Sequence, residues 1–324
     1  MPVVTGAHEL LDTDVYVDLT ELLGANLRIK CEGFNFGGSV KIRVAARMVD
    51  EAERAGLIRP DTVLVESSSG NLGVSLAIVA AARGVRFHCV TDAKCNPAAV
   101  RLMRALGAGV EVVEEGSAGR LAMRKARVRG LCAADPRYLW LNQYENSASW
   151  LAHYDLTGPA IAKEFADIDV LFVGVGTGGT LTGCARYFRD HLPAVRIIAV
   201  DAYGSVNFGG SPAPRHIPGL GAGEPMPLVD AALVDQVVRV TESDTVRMCR
   251  RLAAHGLLLG GSSGTVISAA VEWLEKEDPD GGLTAVAIAP DLGERYLDTI
   301  YDDAWVARHF TGLADGPRTK ELLV

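Results

Sequence analysis

The sequence predicts an α/β protein made of two doubly wound, open parallel-sheet domains with a ligand cleft between them. Three observations predict this. Short apolar runs alternate with longer runs of helical period, the pattern of βαβ units. That alternation restarts after Tyr154. Glycine is abundant, at 35 of 324 residues, while only 6% of the chain is aromatic. This composition suits tight strand-to-helix turns better than an aromatic binding surface.

The elements follow in chain order. Residues 62–66 read as a buried strand and 71–83 as a helix. Residues 87–91 are a strand, and 97–106 a helix with Gly107 behind it as C-cap. Residues 110–113 and 121–131 give the next strand and helix. After the restart come a strand at 169–173, a helix at 181–191 and a strand at 195–200. Helices near 245–254 and at 265–276 precede a strand at 284–288. The expected domains are 1–150 and 151–312, with 313–324 a flexible tail. The N-terminal strands are expected to pack on the second domain, and the segment of about 87–131 to be mobile. Residues 204–227, rich in Gly and Pro, form a long loop of the kind that is often functional.

Composition narrows the partners. The chain is 48% hydrophobic and carries a net charge of −8. It has no electrostatic reason to seek nucleic acid or an anionic membrane. No stretch has the length or the flanks of a membrane span or a secretory signal, so a cytoplasmic protein is expected. The six cysteines form no C-x-x-C pair, and no His sits at zinc-ligand spacing, so no metal site is expected. They read as small buried hydrophobes in a reducing compartment.

Four stretches carry chemistry. In Gly37-Gly-Ser-Val-Lys-Ile-Arg43, two glycines precede an amphipathic helix, so Lys41 falls in its first turn. The helix dipole disfavours a cation there. That is an odd place for a structural lysine and a useful one for an amine that must lose its proton. Taken alone, Lys41 also reads as an ordinary surface lysine. Ser67-Ser-Ser-Gly-Asn-Leu-Gly73 sits between a strand and a helix, where hydroxyls and backbone N–H groups make an anion site. A plain N-cap is its other reading. Gly174-Val-Gly-Thr-Gly-Gly-Thr180 also joins strand to helix. Its Gly174, Gly176 and Gly179 match G-x-G-x-x-G, with Asp201 ending the next strand. It therefore reads either as a dinucleotide fingerprint of an NAD-dependent oxidoreductase or as a compact phosphate cup. Gly260-Gly-Ser-Ser-Gly264 opens a further helix.

In combination these loops are far more specific. GGSVK, SSSGNLG, GTGGT, PGLGAG and GGSSG occur in the order seen in cysteine synthases and their relatives, and the chain resembles that family over most of residues 12–310. The resemblance implies a fold-type II pyridoxal-phosphate enzyme, tryptophan synthase beta-like, with pyridoxal 5′-phosphate as cofactor, and a homodimer acting on amino-acid substrates. It implies Lys41 as the Schiff-base lysine and Asn71 on the cofactor's phenolic oxygen. Gly176, Thr177, Gly178, Gly179 and Thr180 would hold its phosphate, and Ser262 would face the pyridine nitrogen. Ser67, Ser68, Ser69 and Gln143, with Tyr144 beside it, would bind substrate. The segments WLNQY, VDAYGSVNFGG and APDLGERYLDTIYDDAW are similar to the diaminopropionate-pathway N-(2-amino-2-carboxyethyl)-L-glutamate synthases. Leu72, Ile42, Phe36 and Gly176 depart from one or other family pattern.

The implied reaction is β-replacement. Lys41 takes the Cα proton of an O-activated serine, a leaving group departs from Cβ, and a nucleophile adds there. The expected nucleophile is the amine of glutamate, with Arg124 and Arg215 as the cations for its carboxylates. A cysteine synthase taking sulfide, the NAD oxidoreductase and a non-catalytic relative are the alternatives.

Overall fold

The computed structural model describes residues 4–11, 14–114, 119–310 and 313. Two sheets organise them. The larger has six strands: β1 (Tyr16–Asp18), β2 (Leu27–Cys31), β7 (Val170–Gly174), β8 (Arg196–Ala202), β9 (Gln236–Val240) and β10 (Ala285–Ala289), in the order β1-β2-β10-β7-β8-β9. The smaller comprises β3 (Val63–Ser67), β4 (Arg86–Asp92), β5 (Gly109–Val113) and β6 (Tyr138–Trp140), in the order β5-β4-β3-β6. Every pairing is parallel except β1 with β2.

Parallel strands flanked by helices on both faces must be apolar throughout. β10 is buried at all five positions and β7 at four of five. The helices Asn71–Arg83 and Gly261–Glu277 are correspondingly buried along most of their length. A helix in that position cannot be amphipathic, which is why periodicity marks both weakly.

Sheet membership interleaves along the chain. β1 and β2 belong to the larger sheet although they precede β3 by some thirty residues. The helix Lys41–Arg54 packs into the core of the smaller sheet. A buried ion pair from Arg43 Nε to Glu32 Oε2, 2.7 Å, ties it to the end of β2. Charges so deeply buried are tolerated only when paired.

The central elements stand within a few residues of their sequence positions, and the helix Asn71–Arg83 matches at both ends. Two helices begin earlier than expected, at Gly179 and Gly261, because the glycine loops themselves form the first helical turns. Elements the pattern did not reveal include β6, β9, the helices Ala148–Ala152, Gly158–Glu164 and Asp303–His309, and a one-turn π-helix at His153–Thr157. The tail 313–324 lies outside the described residues apart from Leu313, which packs beside a small apolar cluster around Tyr296 and Ile300. Among the described residues, no helix is long and apolar enough to cross a membrane. No group of three or more His, Cys, Asp or Glu among them could hold a metal ion. All six cysteines are free thiols.

Candidate active site

The cleft between the sheets holds a cavity of about 560 Å³. Parallel α/β sheets place their ligand sites at the carboxyl ends of strands. Here the turns after β3 and β7 supply two stretches of the wall, Ser68–Leu72 and Gly176–Thr180. The Gly/Pro loop supplies a third, from Pro212 to Glu224, and Ser262 a fourth.

Lys41, Asn71, Ser68, Ser69, Gln143, Tyr144, Arg124, Arg215, Ser262 and the run Gly176–Thr180 all line this one cavity. Ser67 is the exception. It is fully buried off the wall, its hydroxyl 3.1 Å from Tyr144 Oη, and its carbonyl accepts from both Tyr144 Oη and Gln143 Nε2. It positions those side chains and is not available to a substrate.

Lys41 is the first residue of its helix. Burial holds its amine below the usual lysine range, with the Asp291 carboxylate pulling the other way. The amine is thus easier to deprotonate than an exposed lysine.

The glycine turns are forced by close packing. A Cβ on Gly176 would lie 2.6 Å from the carbonyl oxygen of Gly219. Gly178 has φ +94°, and a Cβ there would lie within 3.0 Å of the Leu228–Val229 backbone. These contacts leave room only for a bare backbone turn opening the helix Gly179–His191, with Thr177 and Thr180 hydroxyls beside it. Unpaired N–H groups at such a terminus, with the helix dipole behind them, form an anion cradle. Behind it, Thr180 Oγ1 meets His153 Nε2 at 3.2 Å, and Thr157 Oγ1 meets His153 Nδ1 at 3.0 Å. Burial and the nearby Lys41 and Arg43 charges hold that imidazole neutral.

At the opposite wall Ser68 Oγ accepts from Gly73 N–H at 2.9 Å, capping the helix that starts at Asn71. Glu66 lies buried beneath this loop. It accepts from Trp140 Nε1 and from the N–H groups of Ser67 and Gln143, and burial pushes its carboxyl up to about 7. Arg124 is buried and pairs with Asp92 at 3.2 Å, but its Nε and Nη1 make no hydrogen bond of good geometry among the described residues. Lys125 reaches from the same helix to Glu224 at 2.8 Å and sits over the Tyr144 ring. Arg215 is half-buried and donates to the Gly204 carbonyl.

Three residues escaped the sequence reading. Asp291, Arg295 and Tyr296 follow β10, and the latter two line the cavity. Asn71 donates to Asp291 Oδ2 and accepts from Arg295 Nη1. The available signal was an aspartate separated from a wholly apolar strand only by Pro290, a position where a charge needs a buried partner.

The dinucleotide reading fails on geometry. Asp201, which would have to reach a ribose, is fully buried and off the cavity wall, with its carboxylate on the N–H of Ala202. By contrast, a half-buried lysine with a lowered pKa, an anion cradle lacking Cβ atoms, and separate polar ends at Asn71 and Ser262 fit a phosphorylated aldehyde cofactor.

That fit agrees with the family. Residues 15–291 match the model of the pyridoxal-phosphate dependent enzymes, and the chain belongs to that family. It is therefore an enzyme with pyridoxal 5′-phosphate as cofactor. More particularly, it is 40% identical to proteins named N-(2-amino-2-carboxyethyl)-L-glutamate synthase. The one from Ralstonia nicotianae aligns over 90% of this chain and 87% of its own length, that from Cupriavidus metallidurans over 90% and 88%. The crystal structure of an O-ureido-L-serine synthase superposes with a TM-score of 0.86 at 31% identity, covering 94% of this chain and all of that one.

Proposed function

We propose that the enzyme replaces the β-substituent of an O-activated L-serine, O-phosphoserine or O-acetylserine, with the amine of L-glutamate. The product would be a 2,3-diaminopropionate precursor for siderophore or peptide-antibiotic synthesis. The observation that carries the glutamate reading is Arg124, a buried guanidinium on the cavity wall that is ion-paired with Asp92 through Nε yet keeps an Nη1 donor with no acceptor among the described residues. A buried guanidinium donor left without an acceptor is costly, and a second carboxylate beside that of Asp92 is its natural partner. The names of the two 40%-identical relatives support the same reaction.

The residues divide the work. Lys41 anchors the cofactor, then takes and returns the Cα proton, for which its lowered pKa suits it. When bound, the cofactor supplies the electron sink. The turn Gly176–Thr180 holds the phosphate, Asn71 the ring oxygen and Ser262 the ring nitrogen. Ser68, Ser69 and Gln143 bind the serine carboxylate. Arg124, with Tyr144 and Arg215, takes the second amino acid. A free amine is mostly protonated near neutral pH. Binding it beside fixed cations favours its neutral form and excludes water.

The test separates the half-reactions. Holoenzyme is mixed with O-phosphoserine or O-acetylserine and then with glutamate or sulfide, and products are read by mass spectrometry. The proposal expects the glutamate adduct to dominate. Arg124→Ala should raise the KM for glutamate about tenfold or more, the worth of a charged hydrogen bond. Consumption of the serine substrate should stay within about twofold. If glutamate gives no adduct while sulfide gives cysteine, the enzyme is a cysteine synthase.

A further inference from the structure

An asparagine amide has a donor end and an acceptor end of nearly the same shape, so its neighbours must decide which way it faces. The neighbours of Asn71 leave one choice. The Arg295 guanidinium has no acceptor, and its Nη1 lies 2.5 Å from Asn71 Oδ1. An ionised Asp291 has no donor, and its Oδ2 lies 3.1 Å from Asn71 Nδ2. Both partners are themselves held. Arg295 Nη2 donates to the Gly37 carbonyl at 2.5 Å, in the turn that leads to Lys41. Asp291 accepts from Tyr296 Oη at 2.6 Å and from Ser263 Oγ. A Cβ on Gly260 would lie 2.3 Å from Asp291 Oδ1, so the carboxylate is packed against bare backbone.

We propose that Asp291 and Arg295 are positioning residues that lock the Asn71 amide with its second N–H directed at the cofactor's ring oxygen. The inference rests on the role given to Asn71 above. With the amide reversed, a carbonyl would face an oxygen that carries negative charge, and attraction would become repulsion. The lock also joins the three parts of the chain that surround the cofactor ring. Arg295 bridges the Gly37 turn and Asn71, while Asp291 lies between Asn71 and the Ser263 end of the GGSSG turn. Burial raises the Asp291 carboxyl, while Tyr296, Asn71 and Arg295 oppose that rise and favour the ionised form the lock needs.

The test is a double-mutant cycle read on cofactor binding and colour. Pyridoxal 5′-phosphate is titrated into apo-protein of wild type, Asn71→Ala, Asp291→Asn and the double variant, at one fixed pH. The dissociation constant and the balance between long- and short-wavelength absorbance bands are recorded. Asp291→Asn lets residue 291 pair in either sense, so the Asn71 amide can turn over. Cofactor binding should weaken about tenfold, the loss of one charge-assisted hydrogen bond, with a change in band balance. In the Asn71→Ala background, the same change should cost less than about twofold, because the lock has nothing left to hold. Full additivity of the two losses would overturn the lock and leave Asp291 a structural residue. If Asn71→Ala alone leaves binding and colour unchanged, the role of Asn71 itself is wrong. Should Asp291→Asn not fold, Arg295→Lys enters the same cycle, since an ammonium cannot bridge Asn71 and Gly37 as a fork does.

Discussion

The two walls of the cavity are built from different material. On the side of the larger sheet, the turn after β7 and the Gly219 turn touch through backbone, at distances that admit no side chain. On the side of the smaller sheet, the wall is side chains: Arg124 on Asp92, Lys125 on Glu224, Tyr144 on Ser67. A backbone wall has one geometry. A wall of ion pairs can rearrange when a new carboxylate competes for its cations. On the assignment proposed above, the cofactor end would therefore be fixed by packing, and the substrate end set by charges able to exchange partners.

The sharpest test of that division is Lys41, the one side chain on which both ends depend. On the roles proposed above, Lys41→Ala removes the anchor and the proton carrier together. Turnover should fall by at least the ~10²–10⁴-fold typical of a proton-transfer group. Thermal stability of the apo-protein should hold or rise, since a buried amine with a depressed pKa is itself a cost. Turnover within tenfold of wild type would place the base elsewhere. Borohydride reduction of wild-type holoenzyme, followed by peptide mapping, should mark Lys41.

The same contrast explains what could be read from the sequence. The backbone wall writes itself in glycines, and the order of GGSVK, SSSGNLG, GTGGT, PGLGAG and GGSSG was visible without coordinates. Most of the candidate residues, from Lys41 to Ser262, do line one cavity. Ser67 looked equivalent to its two serine neighbours, because strand alternation at the end of β3 cannot be fixed from three identical residues. The structure turns it inward. The Asp291–Arg295 pair was hidden for another reason. Their shared partner, the Asn71 amide, lies 220 and 224 residues away in the chain, and contacts at that separation leave no local pattern. The strand β6 was missed because a three-residue, half-exposed strand carries little periodic signal.

Gly219 probes the backbone wall directly. Its φ is +112°, and an added Cβ would lie 2.1 Å from Ser262 Oγ. Gly219→Ala meets both a disfavoured backbone angle and an occupied space, each worth about 1–3 kcal/mol. Part of that strain should appear as weaker cofactor retention, roughly tenfold or more by dialysis and absorbance. Gly223, in the same loop, has open space around its Cβ position and no positive φ. Gly223→Ala should bind cofactor like wild type. Equal effects at the two glycines would mean that loop mobility matters, and that close packing does not.

Lys125 probes the side-chain wall, and its effect should be the smallest. Its ammonium lies 2.8 Å from Glu224 and 5.1 Å from the Tyr144 ring centroid, so it spans from the Arg120–Ala134 helix to the Gly/Pro loop across the cleft. Glu224 is half open to solvent, and such ion pairs contribute about 0–1 kcal/mol. The contact with the ring adds about 0.5–1 kcal/mol. If this strap helps the walls close on substrate, Lys125→Ala should raise KM several-fold and leave cofactor affinity unchanged. Ionic strength separates the two components. Screening shortens the Debye length to about 3 Å in 1 M salt, so the Glu224 part of the effect should fade there while the ring contact persists. Glu224→Gln should therefore reproduce only the salt-sensitive part. A salt-independent loss of kcat in both variants would make this wall as rigid as the glycine one, and the division between a packed cofactor end and an adjustable substrate end would not hold.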